Sequence, residues 1–316
     1  MQRRVFCILL CCMLALLMAG CNEADKSTTT LSETVSNVSE SGGIELIPEG
    51  KDTQQEVYED GEMFDYVEQE ILCERDGMAI YGVAYVPQGE EETYPTIIIG
   101  HGFSGSYRDN LHYAQYLAER GIAAYCFDFC GGSTASESDG VTTDMSVITE
   151  TEDMKAVVEQ LKQQNFVDTS QLFLMGESQG GFVTAMTAAQ EKENIAGIIL
   201  LYPAFVIQDN GKSSYPSIDQ IPERGSLFGV PIGRNYYADV WDLEIYQEIA
   251  AFEKPVLIFH GTADSLVPLS YSERAEDSYK EAELVIVENG GHGFYGEQAE
   301  QVSEQIYDFI RENIKE

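Results

Sequence analysis

The feature that most constrains this chain is a strand-like run, a tight glycine-flanked turn and a run of small residues, in that order, over residues 172–189. Leu172-Phe173-Leu174 is apolar, Gly176-Glu177-Ser178-Gln179-Gly180 has the form Gly-x-Ser-x-Gly, and Phe182 to Ala189 suits a helix lying close on a sheet. A serine at the apex of such a strand-to-helix turn takes a strained backbone, and the flanking glycines remove side chains that would collide. Ser178 is therefore the expected nucleophile. A near-match, Gly102-Phe103-Ser104-Gly105-Ser106, has serine in the fifth place, so Ser104 is no rival.

The chain around this turn alternates. Ile80–Val86, Thr96–Gly100, Ile122–Phe127, Ile195–Leu201, Val256–Phe259 and Leu284–Val287 read as strands, and Thr96–Gly100 has the continuous apolar character of a strand buried on both faces. Arg108–Arg120, stopping at Gly121, and Glu150–Gln163, with Met154, Val157, Val158 and Leu161 on one face, read as helices. A last helix is expected from Glu300 to about Ile314. Strand and helix in alternation imply an α/β domain with a largely parallel sheet covered on both faces. Residues 62–316 are long enough for one such domain.

The segment before it reads differently. Met1-Gln2-Arg3-Arg4 is basic, Val5 to Met18 is apolar, and Ala19-Gly20-Cys21 is a small-residue exit ending in cysteine. This is similar to a bacterial lipoprotein signal, with methionine at position 18 where leucine is commonest, and implies a leader over 1–20 and a lipid carried by Cys21. The apolar run is short for a membrane span. Residues 21–61, rich in Ser, Thr, Glu and Gly, bury too little apolar surface to offset the entropy of ordering and read as a flexible tether. The expectation is one domain outside the cytoplasm, held at the membrane only by the lipid on Cys21.

Charge and cysteine narrow the function. A formal charge of −36 and a sequence pI near 4.2 argue against nucleic acid, whose phosphates require a basic face, and disfavour strongly anionic substrates. Of the seven cysteines, Cys73, Cys126 and Cys130 belong to the domain and read as buried small hydrophobes. No Cys and His spacing has the pattern of a zinc site.

A nucleophilic serine needs a base and a carboxylate, and in hydrolases with this turn they follow in the order Ser, Asp or Glu, His. After the strand ending at His260 comes Gly261-Thr262-Ala263-Asp264, and after the strand ending at Val287 comes Gly290-Gly291-His292-Gly293. Asp264 and His292 thus both stand in loops at strand ends. A histidine between glycines can approach Ser178 unobstructed, acting as base and then acid, while Asp264 fixes its tautomer. His101, His112 and His260 have weaker contexts, and Asp264 has the bland alternative of a turn-forming residue. Gly100-His101-Gly102-Phe103 follows its strand directly and supplies the backbone N–H of Phe103 as one oxyanion donor, the N–H of Gln179 being the other.

With these motifs in place the chain resembles the α/β-hydrolase superfamily over nearly the whole domain. More narrowly, Gly100-His101-Gly102-Phe103, Phe127-Asp128-Phe129, Ser138-Asp139-Gly140, Asp144-Met145-Ser146-Val147, the serine turn and Tyr202-Pro203-Ala204 resemble bacterial feruloyl and cinnamoyl esterases. The resemblance implies carboxylester hydrolysis through an acyl-serine without a cofactor, on hydroxycinnamic or other small acyl esters such as those carried on plant polysaccharides. Glu177, where that group has histidine, and Cys130-Gly131-Gly132-Ser133 depart from the pattern. An aromatic-rich insertion at about 204–253, too long for a simple loop, corresponds to the small cap of those esterases. By approximate alignment, Asp209 and Tyr236 would contact a phenolic hydroxyl, the alternative being that the cap aromatics form its own core. A serine peptidase of the same fold and a binding lipoprotein without activity are the other functions weighed. No motif for gripping a peptide terminus is found, and a binding protein has no need of a full triad.

Overall fold

The computed structural model describes residues 63–314, so the expected leader, Cys21 and the whole of the tether lie outside the described residues. Ten strands follow one another among them. They are β1 (Tyr66–Arg75), β2 (Met78–Pro87), β3 (Tyr94–Gly100), β4 (Ala123–Phe127), β5 (Val167–Glu177), β6 (Gly197–Leu201), β7 (Arg224–Leu227), β8 (Val230–Gly233), β9 (Val256–Gly261) and β10 (Ala282–Val287). The α-helices are α1 (Leu111–Ala118), α2 (Val147–Leu161), α3 (Gln179–Gln190), α4 (Ile207–Ser214), α5 (Asn235–Ala238), α6 (Ile245–Ile249), α7 (Ser270–Ser278) and α8 (Glu297–Glu312).

Eight strands make one sheet in the order β1-β2-β4-β3-β5-β6-β9-β10. Pairing is parallel from β4 to β10 and antiparallel for β1 with β2 and β2 with β4. Alternate side chains serve two hydrophobic layers. Ile98, Leu172 and Leu174 join Met154, Val157, Phe182 and Val183 of α2 and α3 on one face. Ile97, Ile99, Phe173 and Met175 join Leu117 of α1 and Val302, Ile306 and Ile310 of α8 on the other. This explains why the central strands lack polar alternation: both faces are covered.

Local chemistry sets the element ends. Ser106 and Asp109 form a capping box on a short 3-10 turn, Tyr107–Asn110, before α1, so the helix expected from Arg108 is two pieces. Gly121 beyond it has φ +83°, the left-handed conformation that ends a helix cheaply. Helix α2 begins at Val147, ahead of the expected Glu150, because Ser146 caps it in a box with Thr149. Strand β1 carries little periodic signal, since only Ile71 and Cys73 of its ten residues are buried, and it was not anticipated.

Between β6 and β9 the chain leaves the sheet to form the expected cap of α4, a 3-10 turn at Ile218–Gln220, the β7–β8 hairpin, α5 and α6. Its aromatics pack on one another, Tyr236 against Tyr237 at 4.9 Å and Tyr215 against Tyr237 at 6.0 Å between ring centres. Phe228, at the hairpin turn with φ +50°, instead stands 75% exposed.

Candidate active site

Strand β5 ends at Glu177, α3 begins at Gln179, and Ser178 between them has φ 51° and ψ −116°. The two glycines are required by contact. A Cβ on Gly176 would lie 2.1 Å from the carbonyl oxygen of Gly180, and one on Gly180 would lie 2.5 Å from that of His101. The strained turn therefore fits only with hydrogens at both places, and it lifts the serine to the carboxyl edge of the sheet.

The structure brings Ser178, Asp264 and His292 together. Asp264 follows β9 and His292 follows β10, neighbouring parallel strands. His292 Nδ1 donates to Asp264 Oδ2 at 2.7 Å. A carboxylate only accepts, so the proton sits on Nδ1 and Nε2 is the acceptor for Ser178 Oγ–H, also at 2.7 Å. The other carboxylate oxygen, Oδ1, accepts the N–H groups of Leu266 and Val267 at 2.8 and 2.9 Å. Turn former and histidine partner, the two readings of Asp264, are thus one residue doing both. Burial by itself would raise the Asp264 pKa, but the bond from His292 and the two backbone N–H groups outweigh it and hold the carboxyl below its ordinary value.

Two further side chains support this pair, and sequence reasoning gave neither a role in it. His260, fully buried, faces Val267 O at 2.9 Å through Nε2 and Ser272 Oγ at 2.7 Å through Nδ1, with Nε2 3.5 Å from Asp264 Oδ2. A carbonyl only accepts, so Nε2 carries the proton and Ser272 donates to Nδ1. Burial pushes the His260 pKa down despite the opposing Val267 carbonyl and Asp264, so the neutral ring pins the turn that holds the carboxylate. Tyr202, with φ +38°, lays its ring 4.7 Å from that of His292 and donates its hydroxyl to Glu177 Oε2 at 2.8 Å.

Among the described residues, nothing accepts the backbone N–H of Phe103 or of Gln179, the two expected oxyanion donors. The turn carrying Phe103 is fastened on each side. His101 Nδ1 donates to Gly102 O at 2.7 Å and its Nε2 accepts Phe129 N–H at 3.1 Å, while Ser104 N–H reaches Gly132 O at 3.2 Å. The unusual Cys130–Ser133 stretch thus supports the turn from behind. The thiols of Cys73, Cys126 and Cys130 are free and buried, and burial raises that of Cys130 to about 12.

Two cavities meet at Ser178, His292, Phe103, Phe228 and Leu266. The wider, about 360 Å³, runs past Glu177, Asp109, Tyr113, Tyr202 and Tyr295, with no Lys or Arg in its wall. The narrower, about 90 Å³, lies under the cap against Gln179, Ala204, Val206, Ile207, Leu227 and Tyr236. Asp209 corrects the expectation, because it lines neither. Helix α4 turns Val206, Ile207 and Asn210 to the narrow cavity and leaves Asp209 outside, where it accepts from Tyr271 Oη at 2.7 Å. Tyr236 does line the cavity, but its hydroxyl is taken, donating to Gln179 Oε1 at 2.8 Å. Among the described residues no group of three or more His, Cys, Asp or Glu is placed to hold a metal ion.

The sheet, the strained serine turn and the Ser178–His292–Asp264 arrangement define a serine hydrolase of the α/β-hydrolase fold. Residues 108–316 match the model of the prolyl oligopeptidase family, more than half of the chain, and the protein belongs to that family. YfhR, an uncharacterised protein of Escherichia coli K12, is 26% identical over 246 residues, which span 75% of this chain and 78% of YfhR. Est1E from Butyrivibrio proteoclasticus, solved with ferulic acid bound, is 27% identical, with a TM-score of 0.70 over 77% of this chain and 98% of Est1E. The α/β hydrolase GrgF from Penicillium sp. sh18, 19% identical with a TM-score of 0.66 over 79% of this chain and 99% of its own, shares the fold.

Proposed function

We propose that the protein is a serine carboxylesterase that cleaves esters of small acyl groups through an acyl-serine. The observation that carries this is the unbroken chain Ser178 Oγ–His292–Asp264, with both bonds at 2.7 Å, beside two backbone N–H groups without acceptors. His292 Nε2 takes the Oγ proton as Oγ bonds to the ester carbon, and the carbonyl oxygen gains its charge beside the N–H of Phe103 and Gln179. The C–O bond to the alcohol then breaks, and Nε2–H protonates the departing oxygen. We assign the acyl group to the narrow cavity, whose wall of Ala204, Val206, Ile207 and Leu227 is apolar, and the departing alcohol to the wider, more polar one. Water repeats the sequence and frees Ser178.

Est1E, solved with ferulic acid, makes a hydroxycinnamoyl ester the comparison substrate to set beside short-chain esters here. The family model points to a second reading, a peptidase that attacks amides at the same serine. Hydrolysis of p-nitrophenyl acetate, methyl ferulate and an aminoacyl p-nitroanilide decides between them. Ester turnover is expected, with Ser178→Ala costing on the order of 10⁶ in kcat. Faster cleavage of the anilide would replace the esterase by the peptidase.

A further inference from the structure

The narrow cavity and the side chains behind it set the size of acyl group this site takes, an inference that rests on the esterase reading. An apolar cavity of about 150 Å³ takes up one benzene molecule. The cavity under the cap is smaller, about 90 Å³, and a hydroxycinnamoyl unit adds a propenoyl chain and ring substituents to a benzene ring.

The ring of Tyr236 lines the cavity, 2% exposed and edge-on to Phe103 at 5.6 Å between ring centres. The ring is fastened through a buried chain of polar groups. Tyr236 Oη donates to Gln179 Oε1 at 2.8 Å, and Gln179 Nε2 donates to Glu150 Oε2 at 2.8 Å and faces Met145 Sδ at 3.3 Å. The amide of Gln179 thus has each end committed. Glu150 and Gln179 are both 1% exposed, so water does not replace these bonds without opening the interior. Burial pushes the Glu150 pKa well up, against the bond from Gln179. Gln179 is also the residue whose backbone N–H faces the oxyanion, so the cap is tied to the reacting centre by one side chain.

We propose that Glu150, Gln179 and Tyr236 form a bolt that limits the acyl group to short chains, and that hydroxycinnamoyl esters enter only when Tyr236 is released. Glu150 is a positioning residue here, acting on specificity through Gln179.

The test compares kcat/KM for p-nitrophenyl acetate, butyrate and octanoate and for methyl ferulate across variants of the full chain whose circular dichroism matches the wild type. Each rate is read as a ratio to acetate. A pocket that rejects added bulk discriminates by about ten- to two-hundredfold, so the wild type is expected to lose at least about tenfold from butyrate to octanoate and for ferulate. Tyr236→Ala, which removes the ring, is expected to recover most of that ratio. Tyr236→Phe and Glu150→Ala, which free the ring without removing it, should recover part, and Glu150→Gln, which keeps an acceptor for Gln179, should behave as the wild type. Ferulate turned over by the wild type as fast as butyrate, or ratios unmoved in Tyr236→Ala and Tyr236→Phe, would overturn the proposal. Ferulate binding by Ser178→Ala, followed by tyrosine and tryptophan fluorescence, reads the cavity without turnover. Saturable binding is expected only once Tyr236→Ala is added, and equal binding without it defeats the bolt. If no ester is hydrolysed at all, the esterase reading fails, while this binding comparison still decides the bolt.

Discussion

At the scale of single residues, the reacting side chains owe their geometry to atoms that do no chemistry. Asp264 has both carboxylate oxygens bonded, one to His292 and one to two backbone N–H groups, so Asp264→Asn keeps the turn and presents the wrong group to Nδ1. The expected loss in kcat is about 10⁴, the scale seen when a triad aspartate becomes asparagine, with kcat measured on a short-chain ester. His260 gives a pH dependence. Its folded pKa is below the ordinary value of about 6.5, so as pH falls below that value the unfolded chain takes up the proton first. Stability from the neutral ring is then full above about pH 6.5 and is lost as pH falls toward the folded pKa. Thermal melts of wild type and His260→Gln between pH 5 and 8 should show a lower melting temperature for the variant and a flatter slope below about pH 6.5. An unchanged slope would show that His260 is not the group being titrated.

At the scale of elements, α2 joins the cap to the core. Its cap residue Ser146 accepts the N–H of Thr149 at 3.4 Å and donates its hydroxyl to Asp239 of the insertion at 2.6 Å. Ser146→Ala removes both bonds and is expected to cost about 1–2 kcal/mol of stability in urea unfolding. A loss of a few tenths would mean that the Asp239 bond contributes nothing. The same helix carries Glu150 one turn on, so the start of α2 also sets where the bolt meets Gln179. The periodic pattern starts α2 late, at Glu150, because the Ser146 cap acts by hydrogen bonding ahead of the stripe, and starts α1 early, at Arg108, because the turn Tyr107–Asn110 before it is 3-10.

At the scale of the molecule, the expected lipid anchor concerns residues outside those described. We propose that Cys21 carries it, and Cys21→Ala should move the protein from the membrane fraction to the soluble fraction; retention on the membrane would refute lipidation there. Within the described residues, the sequence by itself determined the parallel sheet, the serine turn and the order of Ser178, Asp264 and His292. Each is written locally: apolar runs buried on both faces, glycines where a Cβ has no room, and polar residues in loops at strand ends. The tertiary structure alone decided that Asp209 faces away while Asn210 faces in, that His260 pins Asp264, and that Glu150 reaches Tyr236 through Gln179. These depend on side-chain directions from segments far apart in the chain. Glu150 and Tyr236 are remote from each other in sequence and meet across Gln179 only when the cap folds back over the sheet, so local periodicity and turn chemistry carry no record of their contact.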